Sequence, residues 1–293
     1  MPKQRGFCVL VATDGSEHAR AAIATALTFP WPPGTAMRAV IARRSLWSTG
    51  RPQYMLDALD RHLDRVAAGV GRTLRHRWPN AEVSVLDASP VQAIVGEARR
   101  LGARTIVLGW RGHGPVVRLL MGSVSRGVVR SASCPVLVVR RRRDIRTVVV
   151  GLDGSANART AARFLTGLKP RRGTRAILVR VVETVAVPSA GLLPDRVSSV
   201  IRDEAMKITA ARVREARQEL RALVPPLRRA GWTARTQVFL DTPLRGLLAA
   251  VRRSRADLLC LGARGIGGVE RLLLGSVAEG ALNHCPVGVL IVR

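Results

Sequence analysis

Two tandem domains of the doubly wound α/β class are predicted by three observations. The chain is 293 residues long, about twice the ~150 residues of an ordinary domain. It repeats itself once. CVLVATDGSEHARAA from Cys8 is matched by TVVVGLDGSANARTA, which begins at Thr147, and GWRGHGPVVRLLMGSVS from Gly109 returns as GARGIGGVERLLLGSVA from Gly262. Both copies close on Cys-Pro-Val, at Cys134-Pro135-Val136 and Cys285-Pro286-Val287. A repeat of this size is a whole domain rather than a solenoid module. Third, short apolar stretches alternate with amphipathic ones, the pattern of strand–helix units. The boundary is placed after the run Arg140 to Arg143, with Asp144 as the hinge, giving domains 1–143 and 144–293. Five basic residues between 140 and 146 are read as solvated or anion-facing.

In order, the first copy offers strands at Phe7–Thr13, Arg38–Ala42, Glu82–Asp87, Thr105–Gly109 and Val136–Arg140. The second offers Thr147–Leu152, Ala176–Val182, Thr233–Leu240, Leu258–Gly262 and Val287–Val292. These runs are rich in Val, Ile and Leu and nearly all apolar, which suits parallel strands covered on both faces. Between them lie amphipathic segments such as Arg196–Arg229, where Val197, Val200, Ile201, Ile208, Ala216, Leu220 and Leu223 recur at about helical spacing. The extra residues of the second copy fall around 184–195.

Composition narrows the function classes. Lys+Arg number 48 against 20 Asp+Glu, a net charge of +28, and only Lys3, Lys169 and Lys207 are lysines. Such an excess attracts polyanions (nucleotides, nucleic acid, an acidic membrane surface) or else is solvated arginine. The apolar run before Thr13 is too short for an export signal, and no run of 18 apolar residues predicts a membrane span. The four cysteines show neither C-x-x-C spacing nor zinc-site partners. Free, buried thiols in a reducing, cytoplasmic setting are expected.

The chemistry is carried by a spacing that occurs twice. Gly109 ends the fourth strand, Gly112 follows, and Gly122-Ser123 comes nine residues later; Gly262, Gly265 and Gly275-Ser276 repeat it. Glycines after a strand let the backbone turn and approach a ligand without a Cβ. Gly-Ser then opens a helix whose free N–H groups point at an anion. The dipole of a helix start is worth only about 0.3–1 kcal/mol to an exposed anion. Holding a triphosphate takes several charge-assisted N–H bonds at roughly 1.5–3 kcal/mol each. A glycine-rich loop supplies them, and Arg111 and Arg264 inside the loops add charge. Asp14 and Asp153 end the first strands, either as Asp-Gly-Ser turn residues or as carboxylates reaching ribose hydroxyls or a base edge.

The first-strand Asp, the G-x2-G-x9-G-[ST] loop and the closing Cys-Pro-Val strand resemble the universal stress protein family, in its tandem, ATP-binding form. The resemblance covers nearly the whole chain. It implies a five-stranded parallel sheet in the order 3-2-1-4-5 in each domain, with ATP lying against the loop. The residues it implicates are Asp14, Ala42, Gly109, Arg111 and Gly112, with Gly122, Ser123, Val124 and Ser125 at the helix start. In the second copy they are Asp153, Val181, Gly262, Arg264 and Gly265, with Gly275, Ser276, Val277 and Ala278. It also implies that the last strands pair across a two-fold axis, here within one chain; a homodimer is left open. The chain departs from the family pattern at Ile41 and Arg180, where a His is common, at Trp110, and at Ala278, which stands where the first copy has Ser125. These departures bear on the relative affinity of the two sites.

Two other functional classes fit the sequence less well. An ATP-consuming enzyme lacks support: no Walker A loop is present, and no carboxylate pair besides the first-strand Asp repeats in both copies. Asp14 and Asp153 remain candidates to hold Mg²⁺ through water, allowing slow hydrolysis. An arginine-rich nucleic-acid-binding protein is poorly supplied with stacking residues, since aromatics are only 3%. Lone His113 and His284 lack metal-ligand partners. The expectation is therefore an ATP-binding regulatory protein with one site per domain and an unnamed protein partner, with neither nucleic acid nor a membrane span expected.

Overall fold

The computed structural model describes residues 6–43, 53–112, 121–186, 195–265 and 274–293. In the first half the order is β1 (Cys8–Ala12), α1 (Glu17–Thr28), β2 (Ala36–Arg43), α2 (Gln53–Arg75), β3 (Glu82–Asp87), α3 (Pro90–Leu101), β4 (Thr105–Gly109), α4 (Ser123–Ser131) and β5 (Val136–Val139). The second half repeats it: β6 (Thr147–Gly151), α5 (Ala156–Thr166), β7 (Arg175–Val182), α6 (Asp195–Ala222), α7 (Val224–Arg229), β8 (Thr233–Leu240), α8 (Pro243–Arg253), β9 (Leu258–Gly262), α9 (Ser276–His284) and β10 (Gly288–Val292). His113 and residues 187–194 of the second copy's insertion lie outside the described residues.

All the strands join one sheet, in the order β3-β2-β1-β4-β5-β10-β9-β6-β7-β8. Within each half the neighbours are parallel. At the middle β5 and β10 pair antiparallel, with Val138 opposite Val289 and Leu137 opposite Leu290. The pairing makes the sheet mixed and sends the carboxyl ends of the two halves' strands to opposite edges. Ligand crevices in such sheets form at carboxyl ends, so the two candidate sites lie far apart.

Each face of the sheet carries one apolar layer that crosses the β5–β10 junction unbroken. One layer packs α3, α4, α8 and α9 through residues such as Ile94, Val128, Leu247 and Leu282. The other packs α1, α2, α5, α6 and α7 through Ile23, Leu74, Ala161, Leu220 and Leu227. Strands buried on both faces explain the continuous Val/Ile/Leu runs. The four cysteines are free, as expected. Burial pushes the Cys134 thiol up to about 11 and raises those of Cys8, Cys260 and Cys285, so all stay protonated at neutral pH.

Glu97 is the one buried carboxylate of this core among the described residues, 5% exposed on α3. It accepts from Arg100 Nε at 2.7 Å and Nη2 at 2.8 Å, and from Ser84 Oγ at 3.3 Å. The Arg100 guanidinium holds the Glu97 carboxyl below the usual carboxylate range in spite of burial. A folded-state pKa below the unfolded value stabilises above about pH 4.3, and that gain fades as pH falls through the folded pKa. Glu97→Gln is expected to cost about 1 kcal/mol at pH 7, since Arg100 is largely exposed and the pair is screened. Urea titrations should show this difference shrinking towards zero at pH 3; an undiminished difference there would assign the cost to packing alone.

Two expectations are corrected. The amphipathic segment Arg196–Arg229 is not one helix: it breaks at Leu223 into α6 and α7. Pro225 and Pro226 sit in the first turn of α7, where missing N–H groups cost nothing, and a continuous helix would have lost those bonds. Arg140 is not solvated with the rest of its run. Arg141 to Arg143 are exposed, but Arg140 is half-buried, with its guanidinium 3.7 Å from the centroid of the Trp110 ring.

Candidate functional site

Each site starts from an Asp-Gly-Ser turn. Gly15 and Gly154 adopt φ of 80° and 84°, left-handed values that a Cβ would strain. Asp14 Oδ1 accepts from Ser16 N at 3.0 Å, and Asp153 Oδ1 from Ser155 N at 2.9 Å. The serines then cap α1 and α5, accepting from Ala19 N and Ala158 N; such caps are worth about 1 kcal/mol. Their hydroxyls also reach the carbonyls of Arg111 and Arg264, at 3.5 and 3.4 Å. The turn after the first strand thus touches the loop after the fourth. The turn reading of the aspartate is met by this oxygen, while the other oxygen faces the loop. A Cβ on Gly112 would strike Asp14 Oδ2, and one on Gly265 would strike Asp153 Oδ2.

The ends of each loop are clasped by backbone. Gly122 N donates to the Trp110 carbonyl at 3.0 Å, and Gly275 N to that of Ala263 at 2.9 Å. The middles of the loops, 113–120 and 266–273, lie outside the described residues. Gly122 and Gly275 are the N-caps of α4 and α9, at ordinary extended φ and ψ, and having no side chain they give the first helical N–H groups no side-chain cap.

The structure separates the roles of the motif glycines. The missing Cβ of Gly109 was expected to let a ligand approach. The packing gives a second reason: a Cβ there would lie 2.6–2.9 Å from backbone atoms of His18 and Ala19, and one on Gly262 equally close to Asn157 and Ala158. These two glycines let the fourth strand of each half run against the first turn of α1 or α5. Ser125 also has a structural part: its buried hydroxyl donates to the Gly109 carbonyl at 2.7 Å and so ties the helix start to the strand end. Ala278 forgoes that tie in the second half.

All nine residues singled out in the first half, from Asp14 to Ser125, line one cavity of about 290 Å³. All nine in the second, from Asp153 to Ala278, line another of about 480 Å³. Each cavity has two unlike ends. In the first, Val40, Ala42, Pro90 and Ile94 form an apolar notch, while Gly112, Gly122 and Ser123 form a polar end at the start of α4. Val179, Val181, Pro243 and Leu247 repeat the notch in the second, opposite Gly265, Gly275 and Ser276.

The walls given by α3 and α8 escaped the sequence reading. A signal for them existed: Ser89-Pro90 and Thr242-Pro243 follow the third strands of both copies, and Ser/Thr-Pro is a helix-start signature. Trp110, one of the departures from the family pattern, has a structural part that its position in the motif does not announce. It does not face the ligand side of its loop but is buried, donating from Nε1 to the Leu282 carbonyl of the other half at 2.8 Å. His18 lies beside it, ring centroids 6.2 Å apart, and burial with Arg111 and Arg140 nearby holds its pKa below the usual value. Arg180, at the other departure, pairs with Glu219 at 3.5 Å over the turn at Gly154. Among the described residues no three His, Cys, Asp or Glu side chains gather as metal ligands, and no helix is long and apolar enough to cross a membrane.

Comparison with known proteins agrees with this architecture. A family model described as the universal stress protein family matches residues 8–140 and again 144–293. The chain is 30% identical over 244 residues to universal stress protein Rv2005c of Mycobacterium tuberculosis, covering 79% of this chain and 73% of that one. It is 25% identical over 284 residues to universal stress protein Rv2623 of the same organism, covering 92% and 83%. Among solved structures, a universal stress protein from Archaeoglobus fulgidus superposes with a TM-score of 0.64 at 19% identity, over 98% of both chains. A functionally unknown protein from Pseudomonas aeruginosa, PA1789, does so at 0.54 and 15%, over 97% and 92%. The chain therefore belongs to the universal stress protein family, with one family domain in each half.

Proposed function

We propose that each half binds one adenine nucleotide, ATP in the first instance, and that occupancy regulates which protein partner the chain engages. The observation that carries this reading is the unlike ends of each cavity: an apolar notch for a flat base, and a helix start with exposed N–H groups for phosphates. The same combination occurs twice at carboxyl ends of parallel strands. In this reading the amides from Gly122 to Ser125, and from Gly275 to Ala278, hold phosphate oxygens, with Arg111 and Arg264 adding charge. Asp14 and Asp153 turn their Oδ2 atoms to the ribose hydroxyls. Main-chain groups at Ala42 and Val181 meet the base edge. Mg²⁺ fits as a passenger of the nucleotide: one carboxylate per cavity plus phosphate oxygens is a usual Mg²⁺ donor set. The same aspartate is the sole acid lining each cavity among the described residues, so retention of nucleotide, rather than turnover, is what the donor set favours. The four protonated thiols suit a cytoplasmic setting.

The test is mass spectrometry of small molecules released from freshly purified protein, followed by calorimetry with ATP, AMP and cyclic AMP. Adenine nucleotide in the released fraction, or two ATP bound per chain, is the expected result. Absence of both overturns the assignment.

A further inference from the structure

Trp110 is tied to three separate parts of the molecule. Its carbonyl accepts from Gly122 N and closes the first loop, its own N–H donates to the Val139 carbonyl at 2.7 Å, and its indole N–H holds the Leu282 carbonyl. Leu282 lies in the last turn of α9, the helix whose other end, at Gly275 and Ser276, is the anion end of the second site. Arg140 reinforces the link. Its Nη2 donates to the carbonyls of Leu282, at 3.1 Å, and Asn283, while its guanidinium stacks on the Trp110 ring. Arg111 stacks on the same ring at 4.4 Å and is the like charge that weighs on Arg140.

The second half carries a partial mirror image. Arg293 Nη2 donates to the carbonyls of Val129 and Arg130, at 2.7 and 2.9 Å, in the last turn of α4, whose start is the first site. Arg264 is the like charge beside it. Ala263 stands in the place of Trp110 and sends no side chain across. Each half's closing arginine thus caps the anion helix of the other half, but the indole link runs only from the first loop to α9.

We propose that the two nucleotide sites are positively coupled through Trp110 and Arg140. This inference rests on the nucleotide reading above. Phosphates bound beside Arg111 offset its repulsion of Arg140. Arg140 then holds the last carbonyls of α9 more firmly, as a cation at a helix C-terminus does. A helix of nine residues is a rod about 13 Å long, so a firmer C-terminal turn steadies the N–H groups at Ser276 that receive the second nucleotide. By linkage the second site acts back on the first by the same factor.

The experiment is calorimetry with ATP on the full chain. Gly275→Leu, which fills the anion end without adding a charge that would stand in for phosphate, reports the first site alone, and Gly122→Leu the second alone. The coupling factor is the product of the two stepwise constants of the unaltered protein over the product of these single-site constants. A factor of about five or more is expected. Trp110→Phe keeps an aromatic ring under Arg140 but removes the indole N–H together with the five-membered ring, and Arg140→Gln removes the cation while leaving the indole in place. Each, made in all three backgrounds, should bring the factor towards one while leaving two sites that bind. A factor of one in the unaltered protein overturns the coupling, and so does a factor that neither substitution changes, although ATP still binds in both cases. No ATP binding in any background overturns the nucleotide reading, and the coupling falls with it.

Discussion

Replacing Gly122 by glutamate is expected to abolish nucleotide binding in the first half and to leave one ATP bound per chain instead of two. The backbone accepts the change. Gly122 sits at φ −61° and ψ 148°, values open to any residue, and a Cβ there would meet its nearest atoms, Arg111 Cα and the Trp110 carbonyl, at 3.4 Å. A carboxylate at a helix start is also favoured by the dipole, so the fold should keep its stability or gain a few tenths of a kcal/mol. The cost falls on the ligand. The new carboxylate occupies the anion end of the cavity and competes for the N–H groups of α4. Losing two charge-assisted bonds of roughly 1.5–3 kcal/mol each weakens binding at that site by at least about 100-fold. Calorimetric stoichiometry checks this, with circular dichroism and a urea titration showing an intact fold. Gly275→Glu should give the complementary result for the second half. Two nucleotides bound to either variant would mean that the phosphates do not lie at these helix starts.

How much of this was legible in the sequence depended on where the partner of each residue lay. The loops were legible because both members of every comparison are in the chain: the duplicated spacing marked Gly112, Gly122 and Ser123 against Gly265, Gly275 and Ser276. The break between α6 and α7 was legible in Pro225-Pro226 and was passed over because the apolar spacing continues on both sides. The Ser-Pro and Thr-Pro starts of α3 and α8 were equally open to reading. Trp110 was not, because its partner is a main-chain carbonyl 172 residues away, which no side-chain pattern announces. Arg140 was hidden for a related reason. Four successive arginines look alike in a sequence, and only the fold turns one of them onto an aromatic ring and a helix end while its neighbours face solvent. Serine at 125 was implicated only through the family resemblance, and no spacing announces that the Gly109 carbonyl claims its proton.

Gly109→Ala, in contrast to Gly122→Glu, is expected to damage the fold. The added Cβ would lie 2.6 Å from the His18 carbonyl carbon, 2.8 Å from its oxygen and 2.9 Å from Ala19 N. None of these atoms can rotate aside, since all belong to the first turn of α1, which Ser16 caps and β4 packs against. Either the strand or the helix must shift. Overpacking of this kind costs about 1–3 kcal/mol, and a backbone-to-backbone clash belongs at the upper end. Gly262→Ala meets Asn157 and Ala158 in the same way, at 2.7–2.9 Å, and should cost a similar amount. Gly96→Ala is the informative control. It is an exposed position inside α3 with no atom within 4 Å of its ideal Cβ, so the substitution should stabilise by about 0.5–1 kcal/mol. Guanidinium titrations separate the three, with opposite signs for Gly96→Ala and the other two. Gly112→Ala completes the comparison, because its Cβ would press on the mobile end of a side chain, Asp14 Oδ2, rather than on backbone. Its expected effect is on ATP affinity, with little change in the unfolding midpoint. A neutral Gly109→Ala would mean that the fourth strand and α1 are not in the contact described. A destabilised Gly112→Ala with unchanged affinity would remove Asp14 from the site. One spaced motif thus holds glycines whose Cβ would meet backbone and glycines whose Cβ would meet a side chain or the cavity, and the two kinds of measurement tell them apart.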